Sequence, residues 1–140
     1  MSSGTPFERV AGYSRAIKVG NVIHVAGTTA TDSDGNVLAK GDPIEQCRII
    51  FGRIETALSQ LNASLNDVVR TRMYATRAKD CDEIMRVHGE LFGEIRPAAT
   101  LVVVHELVNP EMLLEIEVEA LHNNLAKKCS ITPPTKEQRR

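Results

Sequence analysis

The chain carries two periods of apolar residues, and they alternate along it. Ile44, Cys47, Phe51, Ile54, Leu58 and Leu61 recur at steps of 3, 4, 3, 4 and 3. That spacing draws one apolar stripe along a helix of about five turns, ending near Asn62. Asp42-Pro43 opens it: an aspartate can cap free N–H groups, and proline fits the first helical position. Glu45 follows Asp42 at the spacing of a capping box. A second helix is predicted from Asp80 and Glu83 onward, with Ile84, Val87 and Leu91 on its apolar face and Gly93 as its stop.

Period two marks the strands. Residues 13–18 and Val22–Thr28 read as a pair joined by the turn signal Gly20-Asn21. Residues 31–36 (Thr-Asp-Ser-Asp-Gly-Asn) form a turn cluster by composition. Val68–Ala75 alternates Val69, Thr71, Met73 and Ala75 with Val68, Arg70, Arg72 and Tyr74. Leu101-Val102-Val103-Val104 is an unbroken apolar run, read as a strand buried on both faces and fed by the loop at 95–100. Glu115-Ile116-Glu117-Val118-Glu119 alternates strictly, so three carboxylates line one face of a last strand. Residues 1–12 read as a loose lead-in.

The order β-β-(β)-α-β-α-β-β predicts an α+β domain, with parallel pairing across each helix. Both helices on one face of a single sheet leave the other face uncovered, and an apolar face would need another subunit. At 140 residues the length suits one domain. We divide it into a domain over 1–124 and a flexible extension over 125–140, which holds Pro133-Pro134 and few large apolar groups.

Charge sharpens that division. The formal net charge is −1, yet residues 125–140 hold Lys127, Lys128, Lys136, Arg139 and Arg140 against Glu137. The body is therefore acidic, which argues against a polyanion-binding face, and nucleic acid is not expected as a partner. No apolar run reaches the roughly 18 residues needed to cross a bilayer, and the N-terminus lacks the basic and apolar regions of a secretory signal. The three cysteines, Cys47, Cys81 and Cys129, are an odd number without a Cys-x-x-Cys pair. Reduced thiols in a cytoplasmic protein are expected.

Nucleotide, zinc-protease and nucleophile-elbow motifs are absent. His24, His88, His105 and His122 lie far apart without ligand spacing, so no metal is expected. Cys47 belongs to the helix stripe and reads as a core thiol. The chemistry-bearing candidates are few. One of Glu115, Glu117 and Glu119 could enter a cleft as an acid or base, or all three could line a solvated face. Arg70 and Arg72 share a strand face and could anchor an anion or form a surface ladder. Arg96 precedes Pro97, which predicts an extended backbone at Arg96.

Six words in order carry a resemblance. They are Gly12-Tyr13-Ser14-Arg15-Ala16, Val19-Gly20-Asn21, Val25-Ala26-Gly27-Thr28, Asp67-Val68-Val69-Arg70, Arg96-Pro97-Ala98-Ala99-Thr100 and Glu115-Ile116-Glu117-Val118-Glu119-Ala120. Over roughly residues 8–122 the chain resembles the Rid family, also called the YjgF or reactive-intermediate-deaminase family. The resemblance implies a chorismate-mutase-like fold, with one sheet and two helices on one face. It implies a homotrimer whose sheets line an internal barrel, with small-molecule clefts between subunits. It implies hydrolysis of enamine or imine intermediates to 2-keto acids and ammonia, of the 2-iminobutanoate or 2-iminopropanoate type. No metal or bound cofactor is implied, because an imine carbon is already electrophilic.

Residue by residue, the resemblance assigns Tyr13 and Glu115 to catalysis. It assigns Gly27, whose backbone faces the ligand, with Thr28 and Thr100, to substrate binding. One departure matters: Ala99 stands where deaminating members hold the arginine that clamps the substrate carboxylate. The family's second-helix asparagine falls at Met85, and the segment before Glu115 is one residue longer. Alanine binds no anion, so either Arg96 or Arg72 replaces the lost group or the ligand carries no carboxylate there. Imine deamination is therefore set against a ligand binder or regulator that has lost deamination. RNA cleavage, a label some relatives carry, finds little support in an acidic body with five aromatic residues.

Overall fold

A computed structural model describes residues 1–122. The extension expected over 125–140 lies outside the described residues. The helix stripe becomes α2, Pro43–Gln60, and the shorter one α3, Cys81–Phe92; they follow a short α1, Pro6–Ala11. The strands are β1 (Ala16–Val19), β2 (Val22–Thr28), β3 (Val68–Ala75), β4 (Ala98–Val103) and β5 (Leu114–Leu121). They make one sheet in the order β1-β2-β5-β3-β4. β5 runs antiparallel to both β2 and β3, while β3 and β4 pair in parallel across α3. Thus α2 carries the chain from β2 over β5 to β3, and the parallel relation expected of that crossover holds with a third strand between.

The Asp42 carboxylate accepts the Glu45 N–H at 3.0 Å, so the capping signal is realised. Asn62 closes α2 at φ 60, a left-handed position that asparagine tolerates. The core lies between the helices and one face of the sheet, where Ile50, Phe51, Ile54 and Leu58 of α2 meet Ile23, Met73, Leu114 and Ile116. Gln46, fully buried, bonds this core to the loop before β5. Its amide nitrogen donates to the carbonyl of Glu111 at 3.0 Å, and its oxygen accepts the Leu113 N–H at 2.9 Å.

Four sequence expectations are corrected. Residues 1–12 are not a loose lead-in. α1 forms there because the Glu8 carboxylate, 4% exposed, gathers the N–H and hydroxyl of Ser3, the N–H and hydroxyl of Thr5, and the Arg15 N–H. A six-residue helix is too short to show a period, and this carboxylate replaces the period as its cause. The apolar run of β4 is not buried on both faces. β4 is an edge strand with β3 as its one neighbour, and Val102 and Val103 are 43% and 51% exposed. Gly93 does cap α3, which ends at Phe92 as expected, but not in the left-handed turn expected of a stop glycine: its φ is −55, and an added Cβ would meet the Gly89 carbonyl at 2.9 Å. The chain turns instead at Arg96, whose φ is 55 rather than extended, with its N–H on the Phe92 carbonyl at 2.7 Å.

Among the described residues no helix is long and apolar enough to cross a membrane. Cys47 is in the core, and burial pushes its thiol up to about 12.

Burial alone would raise the Glu8 carboxyl, but the donated bonds from Ser3 and Thr5 outweigh it and hold the group at about 2, against an ordinary 4.5. A depressed carboxyl stabilises the fold fully above its unfolded value and loses that contribution as pH falls toward the folded one. Melting temperature should therefore drop between about pH 4.5 and pH 2 through release of α1. Glu8→Gln should lower it at neutral pH and flatten that part of the profile, as followed by circular dichroism.

Candidate active site

The register between β2 and β5 advances three residues on β2, from Val25 to Thr28, against two on β5, from Val118 to Ile116. The extra residue is a β-bulge at Ala26-Gly27, a feature that re-aims side chains and ends regular pairing. Arg15 holds it from two directions. Its carbonyl accepts the Ala26 N–H at 2.9 Å. Its guanidinium, in a side chain only 6% exposed overall, donates to the Gly27 carbonyl at 2.8 Å and to the Thr28 hydroxyl at 2.9 Å. The Thr28 hydroxyl in turn donates to the Ala26 carbonyl at 2.8 Å.

Arg15 also lies 5.7 Å from the centre of the Tyr13 ring and donates to its hydroxyl at 3.3 Å. Phe7 of α1 packs edge-on to the same ring, with centroids 6.1 Å apart. So the Glu8 network, the bulge and Tyr13 are parts of one scaffold.

Glu115 stands over the bulge. A Cβ added to Gly27 would lie 2.6 Å from its Oε1, so glycine is what lets this carboxylate lie against the backbone of β2. The three carboxylates of β5 are not equivalent. Glu117 accepts the Tyr74 hydroxyl at 2.7 Å, and Glu119 accepts from Arg72 at 3.2 Å. The Glu115 carboxylate makes no hydrogen bond or ion pair among the described residues. Burial raises its carboxyl, Glu117 adds to the rise, and Arg15 opposes it. A carboxyl held above its usual range keeps its proton to higher pH and can serve as a proton donor or acceptor.

These groups face one cleft of about 480 Å³, between α1 and the bulge, within the range of small-ligand sites. Tyr13, Arg15, Gly27 and Glu115 line it. The turn at residues 31–36 forms a rim, shaped by Asp32, which accepts the Asp34 and Asn36 N–H groups at 2.9 Å each. Arg53 reaches the same cleft from α2, and Met112 comes from the loop that Gln46 holds.

Of the residues expected at a site, Tyr13, Gly27 and Glu115 are together here. Thr28 lies beneath the cleft, 1% exposed, with its hydroxyl engaged by the bulge. Arg72 is on the open face of the sheet, paired with Glu117 and Glu119, beside an adjoining hollow of about 320 Å³ that Tyr13 also lines. Arg96 and Thr100 are exposed, on and before the edge strand β4 and away from the cleft. Sequence reasoning passed over Arg15 and Arg53. A signal for Arg53 was present: it shares a helix row with Gln46, Ile50 and Ala57, all buried.

Fold and cleft define a small α+β protein with a single carboxylate poised over a bulge; among the described residues no group of histidine, cysteine or acidic side chains is placed to hold a metal ion. Residues 4–122 match the family described as Endoribonuclease L-PSP, and the chain belongs to this family, the Rid or YjgF group. The crystal structure of Rv2704 from Mycobacterium tuberculosis, described as a member of the YjgF/YER057c/UK114 family, is similar to it at 43% identity and a TM-score of 0.78. That likeness covers 86% of this chain and 96% of Rv2704. A RutC family protein of Pyrococcus abyssi is 40% identical over 108 residues, 77% of this chain and 84% of its own. The 3-aminoacrylate deaminase RutC of Acinetobacter baylyi is 34% identical over 116 residues, 83% and 90% of the two chains.

Gly27→Ala tests the packing of the site. The obstructed atom is the far end of a flexible side chain, so the fold should survive with a melting temperature within a few degrees. The Glu115 carboxylate should be displaced toward solvent, and its carboxyl, followed by side-chain carbon NMR, should titrate closer to an ordinary glutamate.

Proposed function

We propose that the cleft hydrolyses enamine or imine intermediates of small acids to the keto compound and ammonia. The observation that carries this reading is the unpaired, half-buried Glu115 carboxyl against Gly27. The family membership and the deaminase named among the relatives support it. In the proposed step a protonated imine carbon accepts a water oxygen. Glu115 takes the proton from that water and returns it to nitrogen. The carbinolamine then collapses: its C–N bond breaks, ammonia leaves with the bonding pair, and the hydroxyl proton passes to the Glu115 carboxylate as C=O forms. Tyr13, at the wall of the same cleft, would orient the substrate or its water. No cofactor is required by this chemistry.

We further propose a homotrimer, with Rid-type clefts completed at its interfaces. Support comes from the apolar residues left exposed on the sheet: Ile17, Val19 and Val22 near one edge, and Val102 and Val103 on the other. Ala99 and Thr100 of β4, with Arg96 just before it, would then approach a cleft of a neighbouring copy. The free thiols Cys47 and Cys81 suit a reducing, cytoplasmic setting. RNA cleavage is not proposed. A ligand binder without turnover is the second reading, favoured by Ala99 in place of the family's clamping arginine.

The decisive assay generates imino acids in situ with an amino-acid oxidase and follows keto-acid release. The protein should accelerate release, and Glu115→Gln should lower kcat/KM by about 10²–10⁴, the usual worth of a positioned acid or base. The acid limb of the wild-type pH profile should lie above the ordinary glutamate range, because the base form is lost below a raised value. No acceleration across several amino acids would sink deamination and leave the binder.

Native mass spectrometry should give three times the chain mass of 15.4 kDa. Val102→Asp should shift the population to monomer, since it places a charge on the apolar edge.

A further inference from the structure

We infer that Arg53, with Arg15 beside it, is an anion site that takes the carboxylate of the bound ligand, in place of the arginine that Ala99 replaces. This rests on the reading of the cleft as the ligand site, though not on turnover.

Arg53 enters the cleft from α2, and its guanidinium is fixed rather than loose. Nη1 donates to the Thr29 carbonyl at 2.5 Å and to the Thr31 hydroxyl at 2.9 Å. A guanidinium has five N–H groups in a planar fork. Two are directed at this edge of the cleft. Nε and Nη2 make no hydrogen bond among the described residues, and three N–H groups remain. Those are the donors a carboxylate needs for paired, parallel bonds.

Among the described residues neither Arg53 nor Arg15 forms an ion pair with a carboxylate. Burial weakens the hold of Arg53 on its proton, and the charge of Arg15 weakens it further; Tyr13 and Glu8 act the other way. Of the nearby acids, Asp34 stands on the rim turn, and two others are engaged by hydrogen bonds. Glu8 is ringed by Ser3, Thr5 and Arg15 N–H, and Asp32 by Asn36 and Asp34. Glu115 lies over Gly27 and is shifted toward its neutral form. Two cations without a directly paired acid thus face one partly buried cleft of the size of a small metabolite, which Asp32, Asp34 and Glu115 also line.

The geometry also divides labour. Arg15 has its guanidinium on the bulge and Tyr13, so it contributes charge and rigidity. Arg53 contributes open donors. Glu115 lines the same cleft, so an anion held at Arg53 would leave the rest of a short acid to extend toward that carboxyl. The ligand class is therefore a short-chain carboxylic acid, which on the imine-hydrolysis reading is a 2-imino acid and its 2-oxo product.

Binding, not turnover, is the test. Pyruvate and 2-oxobutanoate are titrated into the full-length protein by NMR, with pyruvamide as the neutral counterpart. Arg53→Met should weaken keto-acid binding by about tenfold to a hundredfold, the worth of one charge-assisted contact. It should leave pyruvamide unchanged. Arg53→Lys, which keeps the charge and loses the fork, should fall between. Where a variant melts early, phenylglyoxal labelling of the wild type replaces it: keto acid should protect Arg53 and leave the exposed Arg9 labelled. Keto acids that bind equally well to Arg53→Met, or that protect neither arginine, overturn the anion site. Binding that depends on Arg53 without any imine hydrolysis upholds the site and fails the deaminase. Hydrolysis with KM unchanged in Arg53→Met does the reverse.

Discussion

The cleft depends on one interaction, the grip of the Arg15 guanidinium on the β-bulge at Ala26-Gly27. A bulge leaves backbone groups without their ladder partners, and each buried, unpaired carbonyl costs roughly 1–3 kcal/mol. Here the Gly27 carbonyl and the Thr28 hydroxyl receive bonds from a cation, which are stronger than neutral ones. The bulge is therefore a fixed feature and can hold a side chain over it. Glu115 uses the space that Gly27 leaves, and its half-buried position is what shifts its carboxyl upward. The acid that could do chemistry, the glycine beneath it and the arginine behind both form one unit.

That unit is tied outward as well. The Arg15 N–H bonds to Glu8 at 3.1 Å, so the segment carrying the cation is anchored by the same carboxylate that organises α1. α1 in turn brings Phe7 against Tyr13. On the other side Gln46 bonds α2 to the loop before β5 and holds Met112 at the rim. A fully buried glutamine is stable only because both ends of its amide are satisfied, and in that state it fixes two segments 65 and 67 residues apart in sequence.

What could be read from sequence follows from how local each cause is. α2, β3 and β5 were legible because a period of 3.6 or 2 is repeated for three turns or more along each. The resemblance words located Tyr13, Gly27 and Glu115. α1 was not legible, since its cause is a carboxylate network and not a period. β4 was misjudged because an apolar run reports that a strand shuns water, not which chain covers it. Arg15 and Arg53 are 38 positions apart and follow no motif spacing. Only the fold brings them to one cleft. The pair at Arg96-Pro97 shows the same limit: the local preference for extended backbone yields to the turn that the Phe92 carbonyl imposes.

The position of Ala99 gives the site its last constraint. β4 is two strands from β5 and three from β2, so at about 4.8 Å per strand position 99 lies some 10 Å or more from the bulge. An anion anchor on β4 could serve this cleft only from a neighbouring copy. An anchor on α2 serves the cleft of its own chain. Arg53 is held by Thr29 and Thr31, which follow directly from the bulge, so its donors and Glu115 share one rigid frame. A short acid bound there would be oriented by the same strand that holds the carboxyl. Its alignment would not depend on how closely two subunits approach.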